Sequence, residues 1–569
     1  MSLSASLQVG RTGLLVNQAA IQVTGNNMAN LATEGYHRQR INFTPVESQQ
    51  ISQGVFVGRG VAVADVTRLI DEALETRLRN SISDQSNSTE TSDLLSRIEA
   101  IEAEYSGIDL STQLGAFFDA FSQLADNPQD ASLRTLATQQ ADSLCQFVNN
   151  MRDQFAQLRV QTYDALGHAV SQVNSLLSKV EQLNRSIAQQ SAGGGGAPGL
   201  RDQRDLALSQ LAEYMDISTV ESETGVVDVF VGSLPVMLNG QSRGLEVSKF
   251  NDNGELGINV IIGDDKSKLP VTSGRLAAMI DFKDAGLSQA TETLDQFAAQ
   301  LIWQTNRLHS QGQGTSDFTS LTSATQVLDP DATLTDLEKT GLGFAASHGS
   351  FEIAVRQKST GQLSTYVVHV DLDGIDPTND TTLNSLISDI DAVDNIRASL
   401  TADGRIRIEQ DSSDFEFSFS HDTSGALASL GINTLFTGSH AGDIAVNQTV
   451  MDNPAFVAAG LDHLPGDNQN ALAINNLRDA AVAELGGMSL TQYWNRHVED
   501  LAIRIGQAQT KADADAIVRT NLTAQQQEQS GVSSDEEAID LLGYQRAYQA
   551  SARFLTVVDE MLQILMSVL

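Results

Sequence analysis

Cysteine is nearly absent from this chain. Cys145 is the single example in 569 residues, so no disulfide framework exists. In its helical-looking segment it reads as a small buried apolar side chain. Aromatic residues are also scarce, at 5%, which leaves little for a platform that stacks bases or sugars. Basic residues number 35 against 72 acidic ones, a formal charge of −37. That balance argues against nucleic acid, whose phosphates would be repelled. No run of like charge stands out, so the acidity is spread over solvated faces. No stretch approaches eighteen consecutive apolar residues, so no membrane span is expected. The N-terminus lacks a basic region followed by an apolar run, so no cleaved secretory signal is expected either. On that ground alone the chain reads as cytoplasmic, although export by a machine that reads an uncleaved N-terminus would leave the same trace.

Recognisable chemistry is missing as well. The nine histidines (His37, His168, His309, His348, His369, His421, His440, His463 and His497) are scattered, with no two at a ligand spacing. The glycine run at 193–196 continues as Ala-Pro-Gly-Leu-Arg and reads as a flexible turn, not a phosphate loop. Gly341-Leu-Gly343 lacks the third glycine and preceding strand of a dinucleotide site. Asp371-Leu-Asp373-Gly-Ile-Asp376 looks like a calcium loop, but an EF-hand needs glycine where Asp376 stands, and a β-turn after a strand fits better. No nucleophile elbow or catalytic constellation is visible. The expectation is a non-enzyme with no cofactor and no metal.

The two ends of the chain carry the pattern. Over 533–569, Leu541, Tyr548, Leu555, Leu562 and Leu569 recur every seven residues, with Tyr544, Ser551, Val558 and Leu565 as a second track. Such spacing lays a narrow apolar seam along a helix, the side that seeks another helix. Ser533 or Ser534 can cap it, and Asp535, Glu536 and Glu537 face the positive end of its dipole. At 1.5 Å per residue it would run for roughly 50 Å. At the other end Leu7, Leu14, Ile21 and Met28 recur every seven, with Leu3, Gly10, Asn17, Thr24 and Leu31 as a companion track. Gly10, Gly13 and Gly25 each cost a helix about 1 kcal/mol relative to Ala, so this helix needs a partner. The ends read as a coiled-coil-like pair, or more plainly as two amphipathic helices of one core.

Between them the coarse layout is helix, strand, helix, strand, helix. Short strands at 54–58 and 60–66 read as a hairpin. Helical pattern covers about 71–105, 112–190 and 200–215. Strands follow from 217, helix returns near 288–308, and 316–446 is β-rich around a helix near 383–393. The remainder is helical from about 470. The fold class is α+β multidomain: paired terminal helices, a long helical domain and inserted β-rich domains.

Asn26-Asn27-Met28-Ala29-Asn30-Leu31-Ala32-Thr33-Glu34-Gly35-Tyr36 resembles the N-terminal motif of bacterial flagellar rod, hook and hook-associated proteins. Tyr544-Gln545-Arg546-Ala547-Tyr548-Gln549-Ala550-Ser551-Ala552-Arg553, followed by Val558-Asp559-Glu560-Met561-Leu562, is similar to the matching motif at the other end. Within these, Asn27, Asn30, Thr33, Gly35, Tyr36, Gln545, Ala547 and Tyr548 carry the likeness. Leu200-Arg201-Asp202-Gln203-Arg204-Asp205, Asn306-Arg307-Leu308-His309 with Gly312, Phe436-Thr437-Gly438-Ser439, Asp443-Ile444-Ala445-Val446-Asn447, Pro465-Gly466-Asp467-Asn468 and Ser530-Gly531-Val532 resemble the hook-associated branch. No such motif falls between about 316 and 435.

The resemblance implies a structural subunit of the hook–filament junction, exported by the flagellar type III system and polymerised at the distal end of the hook. A hook or rod subunit is the alternative. Implied partners are further copies in a ring-like or helical assembly, the hook protein, the other hook-associated junction protein and an export chaperone. Leu7, Leu14, Ile21, Met28, Leu541, Tyr548, Leu555 and Leu562 are the expected subunit-packing residues, and His309 is expected to be structural. The expected domains are a terminal helical polymerisation domain (1–45 and 525–569) and a helical bundle (46–216 with 271–314 and 468–524). A small β domain (217–270) and an outward-facing variable β-rich domain (315–467) complete them.

Overall fold

The computed structural model describes residues 3–52, 54–102, 107, 109–192, 196–252, 255–375 and 380–568. Residues 193–195 of the glycine run, Asp376 and Leu569 lie outside them. The chain opens with α1 (Leu3–Ala29) and strands β1 (Gln39–Pro45), β2 (Gln49–Ser52), β3 (Val55–Val57) and β4 (Val61–Arg68). Helices α2 (Glu72–Glu102), α3 (Leu110–Asp126), α4 (Ala131–Ala192) and α5 (Pro198–Ala212) follow. Next come β5 (Ser218–Glu221), β6 (Val227–Val231), β7 (Leu234–Leu238), β8 (Gln241–Ser242), β9 (Leu245–Asp252) and β10 (Glu255–Ile262). Helix α6 (Gly274–Asp281) leads through a π-helical turn, Phe282–Leu287, into α7 (Ser288–His309). The later β-rich stretch holds β11 (Ser320–Thr322), the short α8 (Leu337–Thr340), β12 (Gly349–Gln357), β13 (Leu363–Val370), α9 (Leu383–Asp391), β14 (Ile396–Leu400), β15 (Ile406–Gln410) and β16 (Phe415–Ser420). After α10 (Ala426–Leu430), β17 (Phe436–Thr437), β18 (Ala445–Val446) and α11 (Gln448–Asp452), the chain ends in α12 (Gln469–Asn476), α13 (Leu490–Ser530) and α14 (Ser534–Val568). This is the expected α+β class.

Two local expectations change. The helical stretch expected at 112–190 is broken in two. Pro128 has no N–H to donate and pushes Asn127 out of the helical region, so α3 stops at Asp126. Asp130 then accepts from the Ser132 N–H at 2.7 Å at the start of α4. The strands at 54–58 and 60–66 do not pair with each other. β3 folds back on β2, and β4 returns along β1 in the register Gln39↔Arg68 to Pro45↔Val61, one hairpin nested in another. Alternation marks a strand but does not name its neighbour.

The chain forms two compact units, and the bundle expected at 46–216, 271–314 and 468–524 contributes residues to both. The first unit holds Met1–Leu94, Gln161–Lys283 and Gly506–Leu569. Its four-stranded sheet, ordered β5-β6-β7-β8, buries Val227, Val229 and Val231 by strict alternation, and β9 and β10 form a separate hairpin.

The second unit holds Leu95–Val160 and Asp284–Ile505. Sheets β13-β12-β16 and β11-β15-β14 enclose Phe351, Ile353, Ile406, Ile408, Phe417 and Phe419, with α9 supplying Leu386 and Ile390 to the same core. Thr382 and Ser385 make a reciprocal capping box that starts α9.

Candidate assembly site at the paired chain ends

Helix α1 lies along α14. Gly10 meets Leu555, Gly13 meets Ser551, and Asn27 Nδ2 reaches Glu537 Oε2 at 3.1 Å. As the first number rises from 10 to 27 the second falls from 555 to 537, so the helices run antiparallel. A Cβ on Gly10 would stand 2.7 Å from Leu555 Cγ, and one on Gly13 would stand 2.9 Å from Ser551 Oγ. These glycines therefore let the two backbones approach, whatever they cost α1 in isolation. Val16, Ala20, Thr24 and Asn27 continue the same track and are buried.

The seam of α1 thus follows its small-residue track. Leu7, Leu14 and Ile21 are only half-buried, and Met28 is 38% exposed. On α14, Leu541, Leu555 and Leu562 are half-buried, Val558 is buried, and Tyr548 is 38% exposed. Leucine periodicity pointed to bulky residues on both sides. Instead the groove is made by one helix and filled by the other.

A polar knot closes the base of the pair. The Asn27 amide accepts the Gln39 N–H at 3.0 Å and donates to the Gln39 carbonyl at 2.9 Å, mimicking a strand partner. Tyr36 donates its hydroxyl to Asn27 Oδ1 at 2.8 Å, and Asn26 Nδ2 donates to that hydroxyl at 3.1 Å. Burial, with help from Asp202 and Glu537, pushes the Tyr36 phenol up to about 12. Thr33 Oγ donates to Asn30 Oδ1 at 3.1 Å. Gly35 sits at φ 73°, with Leu206 3.1 Å from where a Cβ would stand. Glu537 is buried to 1% exposure between Asn27 and the Arg38 Nε, which donates at 2.6 Å. Arg38 also reaches Glu536 and Asp540 at 2.5 and 3.3 Å.

Beside the knot, His37 is 3% exposed, with Nδ1 2.8 Å from Asp202 and Nε2 3.3 Å from Glu75. Desolvation opposes its charge, but the two carboxylates outweigh it and raise the imidazole to about 9. Arg68 donates to Asp202 at 3.0 Å and to Asp205 at 2.6 Å, and Gln526 donates to Glu75 at 2.6 Å. Arg204, 1% exposed, donates to the Gly225 carbonyl and to Glu221, each at 2.7 Å. The 200–205 segment is therefore a clamp: its acids hold His37 and Arg68, and Arg204 holds the small sheet.

The opposite face of α14 is uncovered. Ile539, Leu542, Val557 and Ile564 are 70%, 55%, 52% and 64% exposed. At 100° per residue they share one stripe, directed away from α1, with Arg546 and Arg553 in its middle. Gln545 is exposed and Ala547 half-buried.

Comparison with known proteins bears on this arrangement. The sequence matches a family model described as the flagellar hook-associated protein FlgK helical domain over residues 95–320. A second, described as the flagellar basal body rod FlgEFG protein C-terminal, matches residues 524–568. Flagellar hook-associated protein 1 of Bacillus subtilis is 24% identical over 98% of this chain and 96% of its own length. That of Escherichia coli is 24% identical over 100% of both chains. The chain resembles flagellar hook-associated protein 1 along its whole length. A solved structure titled as the flagellar hook junction protein FlgK from Burkholderia pseudomallei aligns with a TM-score of 0.49 and 17% identity, covering 79% of this chain and 99% of that one. The likeness is to structural proteins of the flagellum and not to enzymes.

The stretch matching the hook-associated helical domain contains its own buried polar node, in the second unit. His309 is fully buried. Its Nδ1–H donates to the Asn433 carbonyl at 2.8 Å, and Nε2 accepts the Ala458 N–H at 3.0 Å. Burial, with Arg134 nearby, lowers the imidazole to about 4, so it is neutral and has no nitrogen left for chemistry. Asn306 pairs with the Phe436 backbone in both directions, at 2.9 Å each way. The scattered Asn306, His309 and Phe436 motifs are thus one knot.

Sequence reasoning missed several residues of the terminal site. Glu537 was read only as a dipole partner, and Arg38, His37 and Arg68 were not singled out. The signal available was the 200–205 motif, whose acids needed buried cations. Elsewhere His348, Asp371 and Asp373 gather three exposed ligand-type groups within 4.8 Å, a surface cluster with Asp371 already 3.2 Å from the imidazole.

Proposed function

We propose that this chain is a structural subunit of the bacterial flagellum at the hook–filament junction, exported through the flagellar type III route and polymerised at the distal end of the hook. The observation that carries the reading is the uncovered stripe of α14. A monomer seldom leaves such a row of large apolar side chains, broken only by Arg546 and Arg553, in water, and further copies of the same helix pair would cover it. The Tyr548 and Met28 side chains, half-open at the seam's edge, add to that surface. Full-length likeness to hook-associated proteins supports the junction, whereas the 524–568 match alone fits a rod or hook subunit equally well. Neighbours in this reading are the hook protein and the other hook-associated junction protein, with an export chaperone before assembly. The terminal helices order largely on insertion, so folding of α1 and α14 becomes part of the assembly free energy. Deletion of residues 540–569, followed by microscopy, tests the junction: filaments are expected to be lost and filament protein to leak into the medium. A strain that still built normal filaments sinks the reading. Hydrogen exchange on free subunits tests the ordering step, and strong protection of residues 3–30 and 540–568 in the monomer would refute it.

A further inference from the structure

An open sheet ends in strands whose outward backbone groups need an answer, and the second unit supplies one at two such edges. Sheet β13-β12-β16 is closed on the β16 side, where Phe417 exchanges both backbone hydrogen bonds with Phe318, at 2.7 and 2.9 Å. In sheet β11-β15-β14 the outward N–H of Ala398 on β14 donates to the Asp391 carboxylate at 3.0 Å. β13 differs. The Gln357 N–H donates to the Gln362 carbonyl at 2.9 Å, which sets the alternation of the β12–β13 ladder. Ser364, Tyr366 and Val368 therefore bond inward to β12, and Leu363, Thr365, Val367 and His369 turn their N–H and C=O groups to the open side. The next outward residue, Asp371, is paired with Thr381 through both groups, at 2.8 and 2.7 Å. From Leu363 to His369 the outward groups have no hydrogen-bond partner among the described residues.

The open edge also lacks the devices that discourage pairing. Leu363-Ser-Thr-Tyr-Val-Val-His-Val370 holds no acid, lysine, arginine or proline, and its register with β12 runs without a bulge. Every other strand of seven or more residues carries at least one charge. At a net charge of −37 two copies of the chain repel over most of their surface, and this strand is where they can approach. We propose that β13 docks against β13 of a second copy, the two strands running antiparallel about a two-fold axis. With Thr365 facing its own counterpart, Leu363 faces Val367, and the outward N–H and C=O groups of all three residues are answered. The same register sets the exposed Asp371 of one copy level with Ser359 of the other, beside the exposed Lys358, so an acid comes alongside a base at each end. A contact built on a two-fold closes at two copies. It is therefore a dimer of the subunit in solution, and it does not rest on assembly through the chain ends.

The test is sedimentation equilibrium of the full chain across protein concentration. A contact this small, under the roughly 1,200 Å² of a stable interface, should give dimer with a Kd of about 100 μM. Thr365→Lys and Thr365→Glu should each weaken it by about tenfold, because like charges then oppose each other across the two-fold. An equal mixture of the two variants should recover to near the parent. Val367→Pro removes an N–H that bonds nothing within the chain, and it should also weaken the dimer by about tenfold. Val557→Asp, on the α14 stripe, should leave the dimer intact. Oxidation of a Thr365→Cys chain supplies a second readout, because Cys145 is buried. A disulfide-linked dimer is expected there and not from Leu328→Cys, whose site is 67% exposed elsewhere in the second unit. Parent chain that stays monomeric at about three times that Kd overturns the pairing. So does a dimer that the β13 variants leave unchanged and Val557→Asp abolishes, since that dimer belongs to the chain ends. A mixture of Thr365→Lys and Thr365→Glu no better than either alone overturns the two-fold register.

Discussion

Glycine in α1 makes opposite demands on the isolated helix and on the paired one, and this gives a prediction with a sign. Replacing Gly25 by Ala meets nothing within 4 Å, so α1 should gain the full helix preference of about 1 kcal/mol. At Gly10 the same gain is set against a new Cβ 2.7 Å from both Cγ and Cδ2 of Leu555, and 3.1 Å from the Phe554 ring. Inserting a methyl into filled space costs about 1–3 kcal/mol, so Gly10→Ala should be neutral to destabilising by about 2 kcal/mol. Gly13→Ala is intermediate, since only the Ser551 hydroxyl crowds it and that group can rotate. Hydrogen exchange of assembled polymer, resolved to α1 and α14, is the suitable assay, because local opening is measured without assuming that a two-unit chain melts in one step. The expected order of protection is Gly25→Ala, then Gly13→Ala, then Gly10→Ala. A Gly10→Ala chain protected as well as Gly25→Ala would mean that the helices do not meet at this glycine.

Glu537→Gln should loosen the base of the helix pair by about 3 kcal/mol, since it removes a buried charge that Arg38 and Asn27 both answer, and exchange at residues 27–39 should accelerate. His37 has a folded value of about 9 against an ordinary 6.5, so its contribution is complete below pH 6.5 and is lost as pH rises through 9. Urea unfolding followed at residues 37–39 and 202–206 should lose up to about 3 kcal/mol between pH 6 and 9.5 in the parent, and His37→Gln should remove that slope. His309 acts in the other direction: held neutral with a folded value of about 4, it favours unfolding as pH falls from 6.5 toward 4. Stability of the second unit should decline over that acid range, and less so in His309→Gln.

The paired ends were legible because a seven-residue recurrence over 541–562 has few other physical meanings. The side of α1 that makes the seam was not. Leucine spacing pointed to Leu7, Leu14, Ile21 and Met28, whereas close approach depends on what Gly10, Gly13 and Ala20 lack, and hydrophobic periodicity does not register an absence. The knots failed for a different reason. Asn27 and Asn306 act through paired backbone groups 12 and 130 residues away, and His37 acts through Glu75 and Asp202, none of which has a local signature. The motifs marked where such residues lie, and only the fold shows what each one holds.

The pairing of Gly10 with Leu555 also has a consequence for the order of events. Those residues are 545 positions apart, so the contact closes nearly the longest loop the chain can form. Loop closure rises only as the logarithm of length, which makes the cost tolerable, but contacts of such separation are slow to find. A chain delivered N-terminus first would present α1 at the outset and have nothing to pair with it until the final residues emerged. The second unit, whose last residue is Ile505, can gather while it waits. The first helix to appear is then among the last to settle.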